Sequence, residues 1–78
     1  MTAVALYRID PAHNMARFYT LAIERDLFAA WCVVTEWGRI GRAGQLRRAA
    51  YHDEGLALAA LEKTRAAKER RGYTTRRA

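Results

Sequence analysis

The spacing of the apolar residues changes once along this chain, and that change is the strongest limit on its fold. Up to residue 51 the period is two, which is the spacing of β-strands. The alternating segments are residues 3–9, 17–25, 28–40 and 45–51. Short turn-forming stretches separate them, at residues 10–14, 25–27 and 41–44. Several strands joined by such short links predict an antiparallel meander.

After residue 52 the apolar residues follow the period of an α-helix. Asp53 is the expected N-cap and Gly72 the expected C-terminal cap. The face that recurs between them consists of Ala57, Ala60, Leu61, Thr64 and Ala67. Residues 73–75 could form one last short strand, followed by a frayed basic tail at 76–78. The predicted fold class is therefore α+β: a small, curved antiparallel sheet with one α-helix packed across it. We expect one domain over residues 1–78, with its core at about residues 4–75.

The charge balance of the chain favours polyanionic partners. Fourteen Lys and Arg residues face eight Asp and Glu residues, for a net charge of +6. Such a balance indicates nucleic acid first and an anionic membrane second. The N-terminus has no charged leader before its apolar stretch, and no apolar run is long enough to span a bilayer. A cytoplasmic protein without membrane attachment is the expectation.

The residue types that carry most catalysis or bind metals are missing or scattered. The chain contains no serine, and its carboxylates are scattered without the pattern of a catalytic carboxylate pair. His13 and His52 have no metal-binding spacing. Cys32 is the only cysteine, so an intramolecular disulfide and a cysteine-rich zinc site are excluded. Its position in an apolar run favours a small buried hydrophobe, and a reactive thiol is the alternative. The sequence predicts no enzyme, no cofactor and no metal.

The segment 36–45 is the most informative part of the chain. Trp37 stands at the end of a predicted strand, Gly38 leaves the backbone beside it open, and Arg39 follows. A flat ring next to a guanidinium can stack on a sugar or base and bind an adjacent phosphate. The alternative is structural: Trp37 covers the core and Arg39 extends over it.

The order and spacing of several segments resemble the WGR domain, a family named for this tryptophan-glycine-arginine tripeptide. The resemblance covers residues 4–75. The segments that carry it are residues 14–19, 37–41, 44–45, 61–68 and 72–73. The family occurs in poly(ADP-ribose) polymerases and in bacterial regulatory or stand-alone proteins. In the polymerases the domain contacts DNA at strand breaks, near a 5′-terminal nucleotide.

The resemblance implies a role for each matching residue. Trp37 would stack on the terminal sugar, and Arg39 would contact the backbone or a partner domain. Arg17 would reach a phosphate, Tyr73 would lie near the 5′ phosphate, and Gln45 belongs to the same loop system. The zinc fingers and transferase domain of the polymerases have no counterpart in these 78 residues.

Three arginines, Arg42, Arg47 and Arg48, flank the Trp37 loop and are expected to extend a phosphate track. The predicted function is a non-catalytic nucleic-acid-binding module that recognises DNA ends or nicks, with RNA open as an alternative. The competing prediction is a protein–protein interaction module that uses the same surface. The predicted nucleic-acid-binding residues are Trp37, Gly38, Arg39, Arg17, Arg42, Gln45, Arg47 and Tyr73.

Overall fold

Five strands and one helix make up most of the computed structural model, which describes residues 2–28 and 30–77. The strands are β1 (Ala3–Asp10), β2 (Met15–Arg25), β3 (Trp31–Arg39), β4 (Gln45–Tyr51) and β5 (Thr74–Arg77). A 3-10 turn (Pro11–His13) joins β1 to β2, and helix α1 (Glu54–Arg70) joins β4 to β5. The strands form one antiparallel sheet in the order β4-β3-β2-β1-β5. The predicted α+β class is confirmed.

The hydrophobic core lies between α1 and one face of the sheet. Alternate residues of the strands point toward the helix, as the period of two requires. The buried apolar side chains of this core are Val4, Leu6, Leu21, Ile23, Val33, Ala57 and Leu61. Of the predicted helix face, Ala57 and Leu61 are buried, and Ala60, Thr64 and Ala67 are half-buried. Nothing in the described part of the chain covers the opposite face of the sheet as α1 covers this one.

The two ends of α1 are capped at the predicted residues. The Asp53 carboxylate accepts a hydrogen bond from the Leu56 amide at 2.8 Å. At the other end Gly72 has φ +96°, and its amide donates to the Glu69 carbonyl at 3.0 Å. The positive φ is readily available to glycine, which explains why the helix ends there.

Three predicted boundaries are wrong by two or more residues. β2 begins at Met15 instead of residue 17, since Met15 and Ala16 already pair with Asp10 and Ile9 of β1. β3 begins at Trp31 instead of residue 28, because the Asp26 carboxylate accepts hydrogen bonds from the Phe28 and Ala30 amides at 2.8 and 2.9 Å. These bonds hold the chain in a loop before it can pair with β2. Arg76, expected in a frayed tail, pairs with Ala5 within β5, since the edge of β1 is available for pairing. Residue 78 lies outside the described residues.

Cys32 is buried, as the sequence predicts. Its Sγ lies 3.8 Å from Oδ2 of Asp26. Burial, and then the neighbouring Asp26 carboxylate, raise the pKa of the thiol. Both causes disfavour the thiolate, which is the nucleophilic form. Among the described residues, none of the helical segments has the length and apolar character of a membrane span.

Candidate nucleic-acid interface

A groove of about 420 Å³ opens where the last turn of α1 lies over the sheet. β2 and β3 supply its floor, because Arg17 pairs with Arg39 and Tyr19 pairs with Trp37 across the two strands. The complete lining is Arg17, Phe18, Tyr19, Trp37, Gly38, Arg39, Lys68 and Tyr73. The groove therefore combines aromatic rings with cations at one end of the molecule.

Three aromatic rings form one continuous surface in the groove. The rings of Tyr19 and Trp37 are stacked, with centroids 6.0 Å apart and an interplanar angle of 25°. The Tyr73 ring meets Tyr19 edge-on, at 6.4 Å and 74°. All three side chains are half-buried. A half-buried, supported ring can receive another flat group without first having to be ordered.

Lys68 extends from the last turns of α1 over these rings. Its Nζ lies 4.4 Å from the centroid of the Tyr19 ring and 5.5 Å from that of Tyr73. Both distances are within the range of cation–π attraction. Burial, followed by the charges of Arg71 and Arg17, lowers the pKa of Lys68. The ammonium group is thus held among other cations, where a bound anion would stabilise its charged form.

Three arginines stand side by side across the strands at this end. Arg8 pairs with Arg17 on β1 and β2, and Arg17 pairs with Arg39 on β2 and β3. Neighbouring strands are about 4.8 Å apart, and directly opposed residues share a face, so three positive charges stand in one row. Among the described residues, none of the ion pairs involves Arg8, Arg17, Arg39 or Lys68. Like charges at this spacing lower the stability of the folded state, and a bound anion would offset that destabilisation.

Asn14 holds the guanidinium of Arg39. One Arg39 nitrogen donates to the Asn14 carbonyl oxygen at 3.1 Å, and another donates to its Oδ1 at 3.3 Å. Asn14 has φ +50°, a left-handed conformation that asparagine tolerates better than most residues. Its own amide donates to the Pro11 carbonyl at 3.1 Å. The turn before β2 therefore fixes the guanidinium of Arg39, which is one end of the arginine row.

Two glycines let the 40–44 turn lie directly against β3. A Cβ atom on Gly38 would be 3.0 Å from the Gly44 Cα. A Cβ on Gly44 would overlap the Trp37 carbonyl and lie 2.8 Å from Cζ of Phe18. Any side chain at Gly44 would push this turn away from the strand end that carries Trp37.

The groove brings together five of the predicted residues, and three others lie outside its lining. The five residues in the lining are Arg17, Trp37, Gly38, Arg39 and Tyr73. The remaining three occupy the 40–44 turn and β4. Arg42 is exposed in that turn, Gln45 stands opposite Trp37, and Arg47 stands opposite Thr35. Arg48 points to the other face of the sheet, where its guanidinium lies 3.8 Å from the Glu24 carboxylate.

The sequence prediction omitted Phe18, Tyr19 and Lys68 from the lining, and Arg8 beside it. The sequence alone could have placed Lys68 near the groove, because it stands four residues after Thr64 on the same helix face. The sequence indicates the position of Arg8 less clearly, only by its place two residues after Leu6 on the same face of β1. A Cβ on Gly72 would be 3.3 Å from the Arg8 Nε, which places that side chain next to the residue before Tyr73.

Comparison with known protein families identifies the family of this chain. The model of the WGR domain matches residues 2–78. The chain belongs to the WGR domain family. No enzyme family is indicated by these comparisons, and no solved structure matches the chain. Among the described residues, no group of three or more His, Cys, Asp or Glu side chains could hold a metal ion.

One relative of this WGR chain is an uncharacterized protein, y4dW, of Sinorhizobium fredii. The two are 39% identical over 69 residues, which is 88% of this chain and 34% of the relative. The WGR chain thus spans about one third of the length of the relative that it matches. The tripeptide that names the family, Trp37 to Arg39, lies in the lining of the groove.

Proposed function

We propose that this WGR domain is a non-catalytic nucleic-acid-binding module that recognises DNA ends or nicks. The observation that carries the proposal is the row of Arg8, Arg17 and Arg39 beside the stacked Tyr19 and Trp37 rings. A row of cations that form no ion pair with the described carboxylates suits a phosphate backbone, and the rings suit a sugar or base. Neither feature reads base identity, so recognition depends on shape and ends.

In this proposal Trp37 stacks on the terminal sugar and the arginine row holds the phosphates next to it. The ring can receive a terminal nucleotide, whereas in a continuous duplex the neighbouring nucleotide occupies that space. Lys68 on α1 and Tyr73, the residue before β5, close the groove from the other side. Arg42 and Arg47 would extend the phosphate contacts beyond the groove, and Gln45 would contact the same strand beside Trp37.

The test compares two DNA duplexes that differ only in their ends. One is a short duplex with open blunt ends, and the other has the same sequence with both ends closed by hairpin loops. Binding of the wild-type chain, Trp37→Ala and Trp37→Phe is followed by fluorescence anisotropy. Trp37→Ala should weaken binding to the open duplex roughly tenfold or more, since one stacked ring contributes about 1–3 kcal/mol. The same variant should lose little on the closed duplex.

Two controls separate stacking from folding. Trp37→Phe keeps a flat ring and should recover part of the loss, and Leu46→Ala removes an exposed apolar side chain of β4 and should change nothing. Thermal melting must show that each variant is folded. Equal losses of Trp37→Ala on open and closed duplexes would remove end recognition. Binding that does not respond to salt would favour the protein-interaction alternative, and tighter binding to an RNA strand would change the ligand.

A further inference from the structure

A second, smaller cleft lies beside the groove, where α1 faces β3 and β4. Its volume is about 80 Å³. The polar side chains that line it are Tyr19, Thr35, Arg47, Tyr51 and Thr64. The rest of the lining is aliphatic, and none of the described residues in it is acidic. The cleft therefore combines several hydroxyl groups with a single positive charge.

That charge belongs to Arg47. Arg47 stands opposite Thr35 in the pairing of β3 with β4, and both line the cleft together with Thr64 of α1. Burial raises the pKa of Tyr19, and the positive charge of Arg47 opposes that rise, so the guanidinium acts on the phenol directly. Arg47 takes part in none of the ion pairs found among residues 2–28 and 30–77. Its charge is thus available to an anion.

The size and the lining of the cleft suit a phosphate group. Hydroxyl groups can donate hydrogen bonds to the oxygens of an anion, beside those of the guanidinium. Thr35 is only 9% exposed, and Tyr19 and Thr64 are half-buried, so little side-chain freedom remains to be lost on binding. A volume of about 80 Å³ is several times the roughly 10–15 Å³ that one water needs. It is much smaller than the groove, which favours a single phosphate over a nucleoside.

The cleft and the groove follow the same edge of α1. The Tyr19 ring lines both of them. On the helix, Thr64 lines the cleft and Lys68 lines the groove. These two residues are one turn apart, which is about 6 Å along the helix axis. A strand that ends on Trp37 can therefore pass Tyr19 and bring a nearby phosphate to the cleft.

We propose that this cleft is a phosphate subsite, in which Arg47 and the hydroxyls of Tyr19 and Thr64 bind one phosphate group. The ligand is a phosphate of the strand whose end occupies the groove, so this assignment rests on the proposed function. It gives the strand a direction, along α1 toward β4. Arg42, which lies in the 40–44 turn and outside the cleft lining, then contributes less than Arg47.

Neutralising single phosphates tests the assignment. The probe is a DNA hairpin with one open blunt end, in which the phosphates near that end are replaced in turn by uncharged methylphosphonates. At one position the replacement should weaken wild-type binding roughly fivefold or more, because a charged hydrogen bond is lost. The same replacement should have little effect on Arg47→Gln, in which that contact is already absent. Fluorescence anisotropy measures both effects.

Arg48→Gln is the matched control, because it removes the same charge from the next residue of β4. Arg48 points to the other face of the sheet, where it lies 3.8 Å from the Glu24 carboxylate. This variant should keep the full loss at that position, whereas Thr64→Val, which removes one hydroxyl, should reduce it. Coupling to Arg48 or Arg42 in place of Arg47 would overturn the path along α1. Thermal melting establishes that each variant is folded.

A second arm separates a backbone phosphate from free phosphate and does not depend on DNA binding. NMR spectra of the isotope-labelled chain are compared in inorganic phosphate and in sodium chloride of equal ionic strength. The Thr64 amide should shift in phosphate only, and Arg47→Gln should abolish that shift.

The two arms together decide the proposal. A shift without coupling to any DNA phosphate would leave a site for free phosphate and overturn the strand assignment, whereas coupling without a shift would support it. Neither coupling nor a shift would overturn the subsite. If the wild-type chain does not bind DNA, the proposed function fails, and the phosphate titration still decides whether the cleft binds phosphate.

Discussion

Replacing Arg17 by Gln should impair binding without lowering the stability of the fold. Arg17 stands between Arg8 and Arg39 in the cross-strand row, and its charge also contributes to the lowered pKa of Lys68. Opposed like charges on neighbouring strands destabilise a sheet, and for exposed side chains the effect is a few tenths of a kcal/mol. Arg17→Gln should therefore leave the free energy of unfolding unchanged or raise it slightly. The pKa of Lys68 should move up toward its ordinary value.

The effect on binding follows from counterion release. If Arg8, Arg17, Arg39 and Lys68 each neutralise one phosphate, log K against log salt should have a slope of about −3.6. Loss of one contact should change the slope to about −2.7 and weaken binding roughly tenfold at low salt. Anisotropy titrations at several salt concentrations measure the slope, and urea unfolding measures the stability.

Lys63→Gln is the matched control, because it removes one exposed cation from the middle of α1, outside the groove lining. It should leave the salt slope close to the wild-type value. Two results would contradict the role of the arginine row: a lower stability of Arg17→Gln, or a salt slope that Lys63→Gln makes as shallow as Arg17→Gln does.

Three further predictions concern the core, the pH response and the turn before β2. Leu61→Ala should lower the free energy of unfolding by about 2–5 kcal/mol, because Leu61 is fully buried; an unchanged melting temperature would contradict this. Since the pKa of Lys68 is lowered, Lys68 should lose its charge, and binding should weaken, as pH rises through a value below 10.5. The fold should become slightly more stable over the same pH range, because the neutral form of Lys68 is the one that the fold favours. Lys68→Arg should bind over a wider alkaline range, as measured by anisotropy. Asn14→Gly keeps the left-handed backbone but removes the Oδ1 contact to Arg39, so binding should fall severalfold with little change in melting temperature. Asn14→Ala should lower both, because alanine is strained at φ +50°.

The strand faces could be read from the sequence because they depend on local periodicity. Leu21 and Ile23 share a face with Tyr19 whatever their partners are, since side chains alternate along any strand. The same holds for Leu61 on α1, whose helical spacing predicts burial before any contact is known. The caps at Asp53 and Gly72 follow from equally local backbone chemistry.

The loop before β3 shows where local reading fails. Phe28 continues the apolar run of the following strand, so periodicity predicts that it belongs to that strand. Whether it pairs depends on Asp26, whose carboxylate binds two amides of the loop. That competition between a side chain and the sheet for the same backbone amides cannot be decided from periodicity. Arg76 is the opposite case, since an available edge of β1 orders a segment whose composition suggests a tail.

Spacing within single segments is enough to predict the type and order of the main elements, the buried faces, and the position of Trp37, Gly38 and Arg39 at a strand end. Contacts between segments are needed to show that Arg8 joins Arg17 and Arg39, and that Lys68 lies over the Tyr19 ring. The reason is physical: a one-residue change of register would move a side chain to the other face of the sheet, and register is set by pairing between residues far apart in the chain.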